Sequence, residues 1–279
     1  VVARNKKSLT INLRTPEGQE LVKDLIKSTD ILVENFRPGT MERWNLGYEE
    51  LKAINPRLIM VRVSGYGQTG PYSARAGYGA IGEAMGGLRY VVGDPSTPPS
   101  RMGISIGDEL AATYACIGAL MALHHRQTSG EGQVVDVAMS DGVASLATMF
   151  YGMKAMGLWT DDREANLLDG GAHFYDTYAC ADGRFVAFGS IEPQFYALLR
   201  QMLGVADDRD FDAQMDRAAW PALKSRVAAI IATRTRAQWC EVMEGTDICF
   251  APVLSPDEAL DHPHIQARGT FIDVGGQSQ

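Results

Sequence analysis

The sequence predicts an α/β protein in which a large domain with a Rossmann-like parallel sheet precedes a smaller α+β domain. In residues 1–160, short apolar runs typical of strands alternate with helical patterns, and this alternation favours right-handed crossovers and a parallel sheet. In residues 161–279, two strand patterns flank a tight turn and predict an antiparallel hairpin. The chain has 279 residues, of which 46% are hydrophobic, and this is enough for one large or two modest domains.

The large domain opens with a predicted strand at residues 8–13 and a helix after it. Thr15 and Pro16 form a favourable helix start, because proline suits the first helical position. The apolar residues that we expect on the buried face of this helix are Leu21, Leu25 and Ile26.

The remaining elements of the large domain continue the alternation. Strands are predicted at 30–34, 58–63 and 133–139, with short helices over 40–54 between the first two. A long helix is predicted to begin near Asp108, because apolar residues recur after it at helical spacing. Another helix is predicted from Ser140 or Asp141 towards Trp159.

The smaller domain begins with the hairpin, whose strands 175–180 and 184–188 flank Asp182 and Gly183. Glu192 and Pro193 then open a helix. A strand at 249–254 and a helix start at Ser255 complete the pattern, so strands and helices are both expected here.

Composition limits the function classes. The formal charge of −8 argues against a nucleic-acid-binding protein, which usually carries a basic surface. The four cysteines are scattered without metal-ligand spacing, so no metal site is expected. The sequence shows no signal-peptide pattern, and we predict that no apolar run approaches the ~20 residues that a bilayer requires. We therefore expect a cytoplasmic protein that does not enter a membrane.

Asp108 is the strongest candidate for a catalytic residue. It follows Gly107 where an apolar helix begins, and unpaired N–H groups at a helix start favour an ionised carboxylate. Such a carboxylate beside a residue without a side chain can attack an electrophilic carbonyl. The alternative is an ordinary Asp N-cap.

The glycine pattern at residues 65–70 raises a different possibility, a dinucleotide-dependent dehydrogenase. Its spacing is G-x-G-x-x-G and it follows a predicted strand. However, the fingerprint requires a helix to open at the glycines, whereas Pro71 and the residues up to Gly77 read as a loop. The acidic residue that should end a second strand would be Asp94, which lies in a turn. We therefore reject the dehydrogenase interpretation.

Long motifs resemble the family III CoA-transferases. They comprise residues 77–141, the run 34–39 (ENFRPG), Gly47-Tyr48 and 55–58 (NPRL). The resemblance implies the fold of that family, with Asp108 as nucleophile, acyl-CoA and a small carboxylic acid as substrates, no permanently bound cofactor, and an interlocked homodimer. The resemblance also implies that the chain is incomplete at both termini, since it begins at Val1 inside what matches the N-terminal domain and has no match to the returning segment after Gln279.

The same resemblance places the CoA site after the strand at 30–34. Asn35, Phe36 and Arg43 match positions that contact CoA in the family. The chemistry agrees, because Arg37 or Arg43 can neutralise phosphate, Asn35 can hydrogen-bond a polar edge and Phe36 can stack on adenine. The alternative for Arg37 is a plain turn with a solvated side chain.

The second domain resembles the 2-methylacyl-CoA racemases of the same superfamily, through residues 166–178 and 191–196. Those enzymes use a histidine and an aspartate as two bases, supported by a glutamate that Glu192 matches. Tyr78 occupies the histidine position, and a phenol is a weak base at neutral pH. Racemisation would therefore need His173 or another group as the second base.

We take CoA transfer as the principal hypothesis, racemisation as the second, and an inactive truncated CoA-binding or assembly module as the third. The glycines Gly170 and Gly171 are the nearest candidates for an oxyanion hole. Glu83 is a further lining candidate without an assigned role, and the alternative for it is a solvated helix residue. The residues expected to line the substrate are Tyr78, Gly107, Gly170, Gly171, His173 and Glu192.

Overall fold

The computed structural model describes residues 5–276 and residue 278, and it forms two compact units. Unit 1 comprises Val1–Gly93 and Thr97–Gly157, and unit 2 comprises Asp94–Ser96 and Leu158–Gln279. The predicted interruptions of the family fold at Val1 and Gln279 lie outside the described residues.

Unit 1 contains a three-stranded parallel sheet, which confirms the predicted α/β class. Its strands are β1 (Ile31–Glu34), β2 (Ile59–Ser64) and β3 (Val134–Ala138), in the spatial order β1-β2-β3. Met60 of β2 pairs with Leu32 of β1 and with Val134 of β3. The described helices of unit 1 are α1 (Pro16–Ile26), α2 (Thr40–Arg43), α3 (Tyr48–Ile54), α4 (Gly79–Met85), α5 (Ile106–Ser129), α6 (Met139–Leu146) and α7 (Thr148–Ala155).

Both faces of this sheet are covered, as a parallel sheet requires. Successive side chains of a strand point to opposite faces, so the central strand supplies two cores. Met60 packs with Ile26 and Leu51 in one cluster, whereas Ile59 and Val61 pack in the other cluster with small residues of α5. The small residues, Ala111 and Ala122, let α5 lie close to the sheet.

Three local predictions for unit 1 were wrong. Residues 8–13 form no strand, because a strand needs a hydrogen-bonded neighbour and none of the described segments pairs with them. The face of α1 that is buried is narrower than predicted, since Ile26 is buried while Leu21 and Leu25 are each 44% exposed. The helix predicted from Ser140 to Trp159 is two helices, α6 and α7, separated at Ala147.

Unit 2 contains an antiparallel sheet of β4 (Thr177–Ala179), β5 (Phe185–Phe188) and β6 (Phe250–Val253). Its first two strands are the predicted hairpin, with Tyr178 opposite Val186. The described helices of this unit are α8 (Pro193–Met202), α9 (Trp220–Ile231), α10 (Arg236–Met243), α11 (Pro256–Asp261) and α12 (Pro263–Ala267). An aromatic core that includes Phe174, Trp220 and Trp239 joins α8, α9 and α10 to the sheet.

Candidate active site

Two parallel strands of unit 1 end side by side at the proposed site. β2 ends at Ser64 and β3 at Ala138, and ligands of parallel sheets bind beyond such carboxyl ends. The loop after β2 leaves at Gly65 and returns at Gly77, where a Cβ on Gly65 would lie 2.8 Å from the Gly77 Cα. This close return places Tyr78 and the start of α4 next to the end of β2.

Glycines fix α4 against its neighbours. A Cβ on Gly82 would lie 3.0 Å from the Met139 Cβ, and one on Gly86 would lie 2.7 Å from a Val143 methyl. Side chains at these positions would force α4 and α6 apart. Because Gly79, Gly82 and Gly86 recur at helical spacing, one face of α4 is free of side chains and packs closely.

Asp108 lies in the first turn of α5, and its side chain is exposed. The N-cap of α5 is Ser105, so the interpretation of Asp108 as an ordinary N-cap was wrong. The Ser105 hydroxyl donates a hydrogen bond to Asp108 Oδ2. A Cβ on Gly79 would overlap the Asp108 carboxylate, so the absence of a side chain at Gly79 makes room for it. The positive end of the α5 dipole favours the negative charge of Asp108.

Gly107 and Glu83 are buried and hold the start of α5 in place, so neither lies on the exposed surface beside Asp108. Gly107 is buried, and a Cβ there would lie 2.6 Å from the Gly79 carbonyl oxygen. The Gly107 N–H donates to Glu83 Oε1 at 3.4 Å. Glu83 is itself buried, and its other oxygen accepts from Arg89 at 3.2 Å. The predictions that these two residues line the substrate are therefore corrected, whereas Tyr78 is 77% exposed at the N-cap of α4.

The predicted CoA-binding residues follow β1 directly. Asn35, Phe36 and Arg37 are all exposed. The Phe36 ring meets Trp44 edge to face, with ring centroids 5.1 Å apart, and Arg43 is the residue before Trp44. The Arg43 guanidinium donates to Thr40 Oγ1 at 2.8 Å. The structure thus brings Phe36 near the α2 segment that carries Arg43, and leaves the Arg37 side chain at the surface.

A partly buried ion cluster lies beneath this loop and was not predicted from the sequence. Arg62 donates to Glu34 at 2.7 Å and to both oxygens of Glu42 at 2.7 and 3.2 Å. Glu34 Oε2 also accepts from the Phe36 N–H at 2.7 Å, so the cluster anchors the start of the loop after β1. The hydrogen bonds from Arg62 hold the pKa of Glu42 below its ordinary value. The available signal was an arginine within an apolar strand, which needs a buried partner.

His173 lies in the core of unit 2 and not on a substrate-lining surface. It is fully buried, and its Nε2 lies 2.7 Å from the Tyr196 hydroxyl. That hydroxyl donates to the Phe211 carbonyl oxygen at 3.0 Å, so His173 Nε2 is the donor to Tyr196. His173 Nδ1 has no hydrogen-bond partner among the described residues. Burial lowers the pKa of His173 to about 4, so this neutral ring is inaccessible as a second base.

Of the other predicted site residues in unit 2, Gly170 and Gly171 are engaged in hydrogen bonds and Glu192 is exposed. The Gly171 N–H donates to Asp169 at 3.2 Å, so it is not free to bind an oxyanion. The Gly170 carbonyl oxygen accepts from Lys224 at 2.7 Å. Glu192 is the exposed N-cap of α8 and makes no capping bond within the described chain.

The structure bears on two of the earlier expectations, the rejection of a dinucleotide-dependent dehydrogenase and the expectation that no metal site is present. In the described residues 65–78, the glycine pattern leads into turns, and α4 begins only at Gly79, so the geometry of a dinucleotide fingerprint is absent there. No group of three or more His, Cys, Asp or Glu side chains suitable for a metal ion occurs in the described part of the chain.

The expectation that no apolar segment is long enough for a bilayer was wrong for α5. This helix has 24 residues, and its best window reaches a mean hydropathy of 1.3, which is sufficient by length and composition. A single such helix is weak evidence, because core helices of soluble proteins also meet this criterion. The absence of a membrane contact therefore stays a prediction.

A model of CoA-transferase family III matches residues 1–278. The chain is 46% identical over 278 residues to the succinyl-CoA–D-citramalate CoA-transferase of Chloroflexus aurantiacus, covering 98% of this chain and 69% of that protein. It is 41% identical over 280 residues to the alpha-methylacyl-CoA racemase of Mus musculus, covering 99% and 72%. A CAIB/BAIF family protein from Brucella suis has a similar solved structure, with a TM-score of 0.82, 29% identity, and coverage of 99% of this chain and 74% of that one.

Proposed function

The chain belongs to CoA-transferase family III, and we propose that it moves CoA from an acyl-CoA donor to a carboxylic acid through covalent intermediates on Asp108. Its relatives include transferases and racemases, and they support these two activities as candidates. The observation that favours transfer is the Asp108 carboxylate, which is exposed and held through one oxygen, while His173 is buried and Tyr78 is a phenol.

In the first half of the reaction, the free oxygen of Asp108 attacks the thioester carbonyl of the donor. The carbon–sulfur bond breaks, CoA leaves as a thiolate, and a mixed anhydride joins the acyl group to Asp108. The thiolate then attacks Cγ of Asp108. The donor acid leaves as a carboxylate, and an aspartyl-CoA thioester remains.

The second half repeats these steps in reverse. The acceptor carboxylate attacks Cγ, expels the CoA thiolate and forms a second anhydride. The thiolate attacks the acyl carbonyl of that anhydride, which gives the new acyl-CoA and restores the Asp108 carboxylate. One oxygen of the acceptor acid therefore ends on Asp108 in each turnover, and no proton acceptor is needed.

We propose that CoA binds along the loop after β1. Arg37 and Arg43 supply positive charge for phosphate groups, and Phe36 offers an exposed ring beside Trp44 for the adenine. Asn35 offers amide donors and an acceptor. The ion cluster of Arg62 with Glu34 supports this role, because it fixes the backbone from which these side chains project.

A homodimer is part of the same proposal. The exposed face of α5 carries large apolar side chains that a second copy would cover. Those residues are Tyr114, Ile117, Leu120 and Met121. Light scattering coupled to size-exclusion chromatography should give twice the mass of one chain, and a monomer at micromolar concentration would contradict this part of the proposal.

The test of function is mass spectrometry of reactions in D2O that contain acyl-CoAs, including succinyl-CoA, and carboxylic acids labelled with ¹⁸O. We expect new acyl-CoA species and ¹⁸O on the Asp108 peptide, and both should disappear in Asp108→Asn. Glu109→Gln is the matched control, because Glu109 is the exposed acid next to Asp108 in the same helical turn. Its activity should equal that of the wild type.

Deuterium at the α-carbon of an unchanged acyl-CoA, without ¹⁸O on Asp108, would replace transfer by racemisation. The racemase relative makes this the second candidate. CoA binding without either reaction would support an inactive CoA-binding module.

A further inference from the structure

Ser105 occupies the N-cap of α5 but does not act as a cap. A serine at this position normally accepts a hydrogen bond from a backbone N–H of the first turn. Within the described chain, the Ser105 side chain makes no such bond. Its backbone has φ −83° and ψ 81°, and the Ile106 N–H donates to the Ile104 carbonyl oxygen at 3.1 Å. These values define an inverse γ-turn centred on Ser105, in place of the extended backbone usual at an N-cap.

The Ser105 hydroxyl is instead committed to the reacting carboxylate. It donates its one proton to Asp108 Oδ2. Gly79 lies against the same two groups, since a Cβ there would be 2.5 Å from Ser105 Oγ and would overlap Oδ2. Asp108 Oδ1 has no hydrogen-bond partner among the described residues. The two oxygens of the nucleophile are therefore inequivalent.

We propose that Ser105 selects the attacking oxygen of Asp108 and then serves as an oxyanion donor in the later steps, an inference that rests on the proposed transfer reaction. The bond to Oδ2 leaves Oδ1 to attack the donor thioester. Oδ1 then becomes the bridging oxygen of the anhydride, and Oδ2 becomes the carbonyl oxygen on Cγ.

The same hydrogen bond gains importance when Cγ is attacked. Thiolate attack on the anhydride, and carboxylate attack on the aspartyl-CoA thioester, both place negative charge on Oδ2. A donor that already points at this oxygen stabilises the charge without reorganisation. Ser105 would thus supply a donor that Gly171 cannot, because the Gly171 N–H is bound to Asp169.

The test is a single-turnover experiment on the complete chain with an acyl-CoA that the wild type uses. The Asp108–CoA thioester is quantified by quenched mass spectrometry, first as it forms and then as it reacts with acceptor acid. In Ser105→Ala, we expect both rates to fall by roughly 100- to 1,000-fold, the range for loss of an oxyanion donor. The dissociation constant for CoA should change by less than about twofold, because Ser105 acts on Asp108 and not on CoA binding.

Three further variants separate this role from a structural one. Ser105→Thr keeps the hydroxyl and should recover most of the rate, whereas Ser105→Gly removes it with a residue that N-caps tolerate and should behave as Ser105→Ala. Ser255→Ala is the matched control, because the Ser255 hydroxyl is a genuine cap that accepts from the Glu258 N–H at 3.2 Å. It should lower the melting temperature and leave both rates unchanged.

The outcomes distinguish failure of the role of Ser105 from failure of the proposed transfer reaction. Wild-type rates in Ser105→Ala and Ser105→Gly would overturn the role of Ser105 while transfer through Asp108 stands. Equal losses of rate and of CoA affinity would also overturn it, because they would indicate a disturbed fold. If the wild type itself forms no Asp108–CoA thioester, the proposed transfer reaction fails, and the role of Ser105 fails with it.

Discussion

Replacing Gly79 by alanine should displace Asp108, the proposed nucleophile, without unfolding the protein. The new Cβ would lie 2.5 Å from Ser105 Oγ and even closer to Asp108 Oδ2. Non-bonded heavy atoms prefer separations of about 3.5 Å, so the carboxylate must retreat by roughly 1 Å. A shift of that size in a reacting group costs about 100-fold in rate. Overpacking at this buried position should cost about 1–3 kcal/mol, which a typical folded domain tolerates.

The assay is steady-state CoA transfer together with urea unfolding. We expect kcat to fall about 100-fold in Gly79→Ala while KM for the acyl-CoA stays within about threefold, because the displaced group acts in the chemical step. Gly152→Ala is the matched control: Gly152 is also helical, but a Cβ there would meet no atom within 4 Å. An unchanged kcat in Gly79→Ala would refute the placement of Asp108 against Gly79.

Two further predictions concern stability. Burial lowers the pKa of His173 from 6.5 to about 4, so the unfolded chain binds more protons between these values and stability should fall as the pH drops from about 6.5 to 4. The loss should reach about 3 kcal/mol at most, and urea titrations across this range should show a flatter profile in His173→Gln. Arg62→Met leaves the buried Glu34 carboxylate unpaired and should cost about 3–5 kcal/mol of unfolding free energy. Less than about 1 kcal/mol would show that Arg62 does not stabilise Glu34.

Secondary-structure elements that depend on short stretches of sequence were predicted correctly. The strand patterns around the Asp182-Gly183 turn predicted the hairpin of β4 and β5, and the structure supplies its register. The helix beginning near Asp108 was also correct, although its N-cap is three residues earlier. In contrast, residues 8–13 have a strand-like composition but no neighbouring strand in the described chain, and composition alone cannot supply a partner.

The candidate site was less predictable, because its decisive contacts join distant parts of the sequence. Asp108 was identified from its position near a helix start, yet its contact with Gly79 spans a loop and a helix. The burial of His173 depends on Tyr196 and Phe211, which no spacing in the sequence connects to it. A usable signal existed in α4, where three glycines at helical spacing indicate close packing against a neighbour.

We expect position 78 to influence the choice between transfer and racemisation, because the resemblance places the histidine of the racemases at Tyr78. The backbone around position 78 is fixed by two close glycine contacts, Gly65 with Gly77 and Gly79 with Gly107. The Tyr78 side chain is nevertheless 77% exposed and makes no capping bond in the described chain. A histidine at this position would therefore add a base while the contacts of Asp108 with Ser105 and Gly79 stay in place. If this expectation holds, the choice between the two reactions depends on one exposed side chain, and Tyr78→His should add α-proton exchange without unfolding the protein.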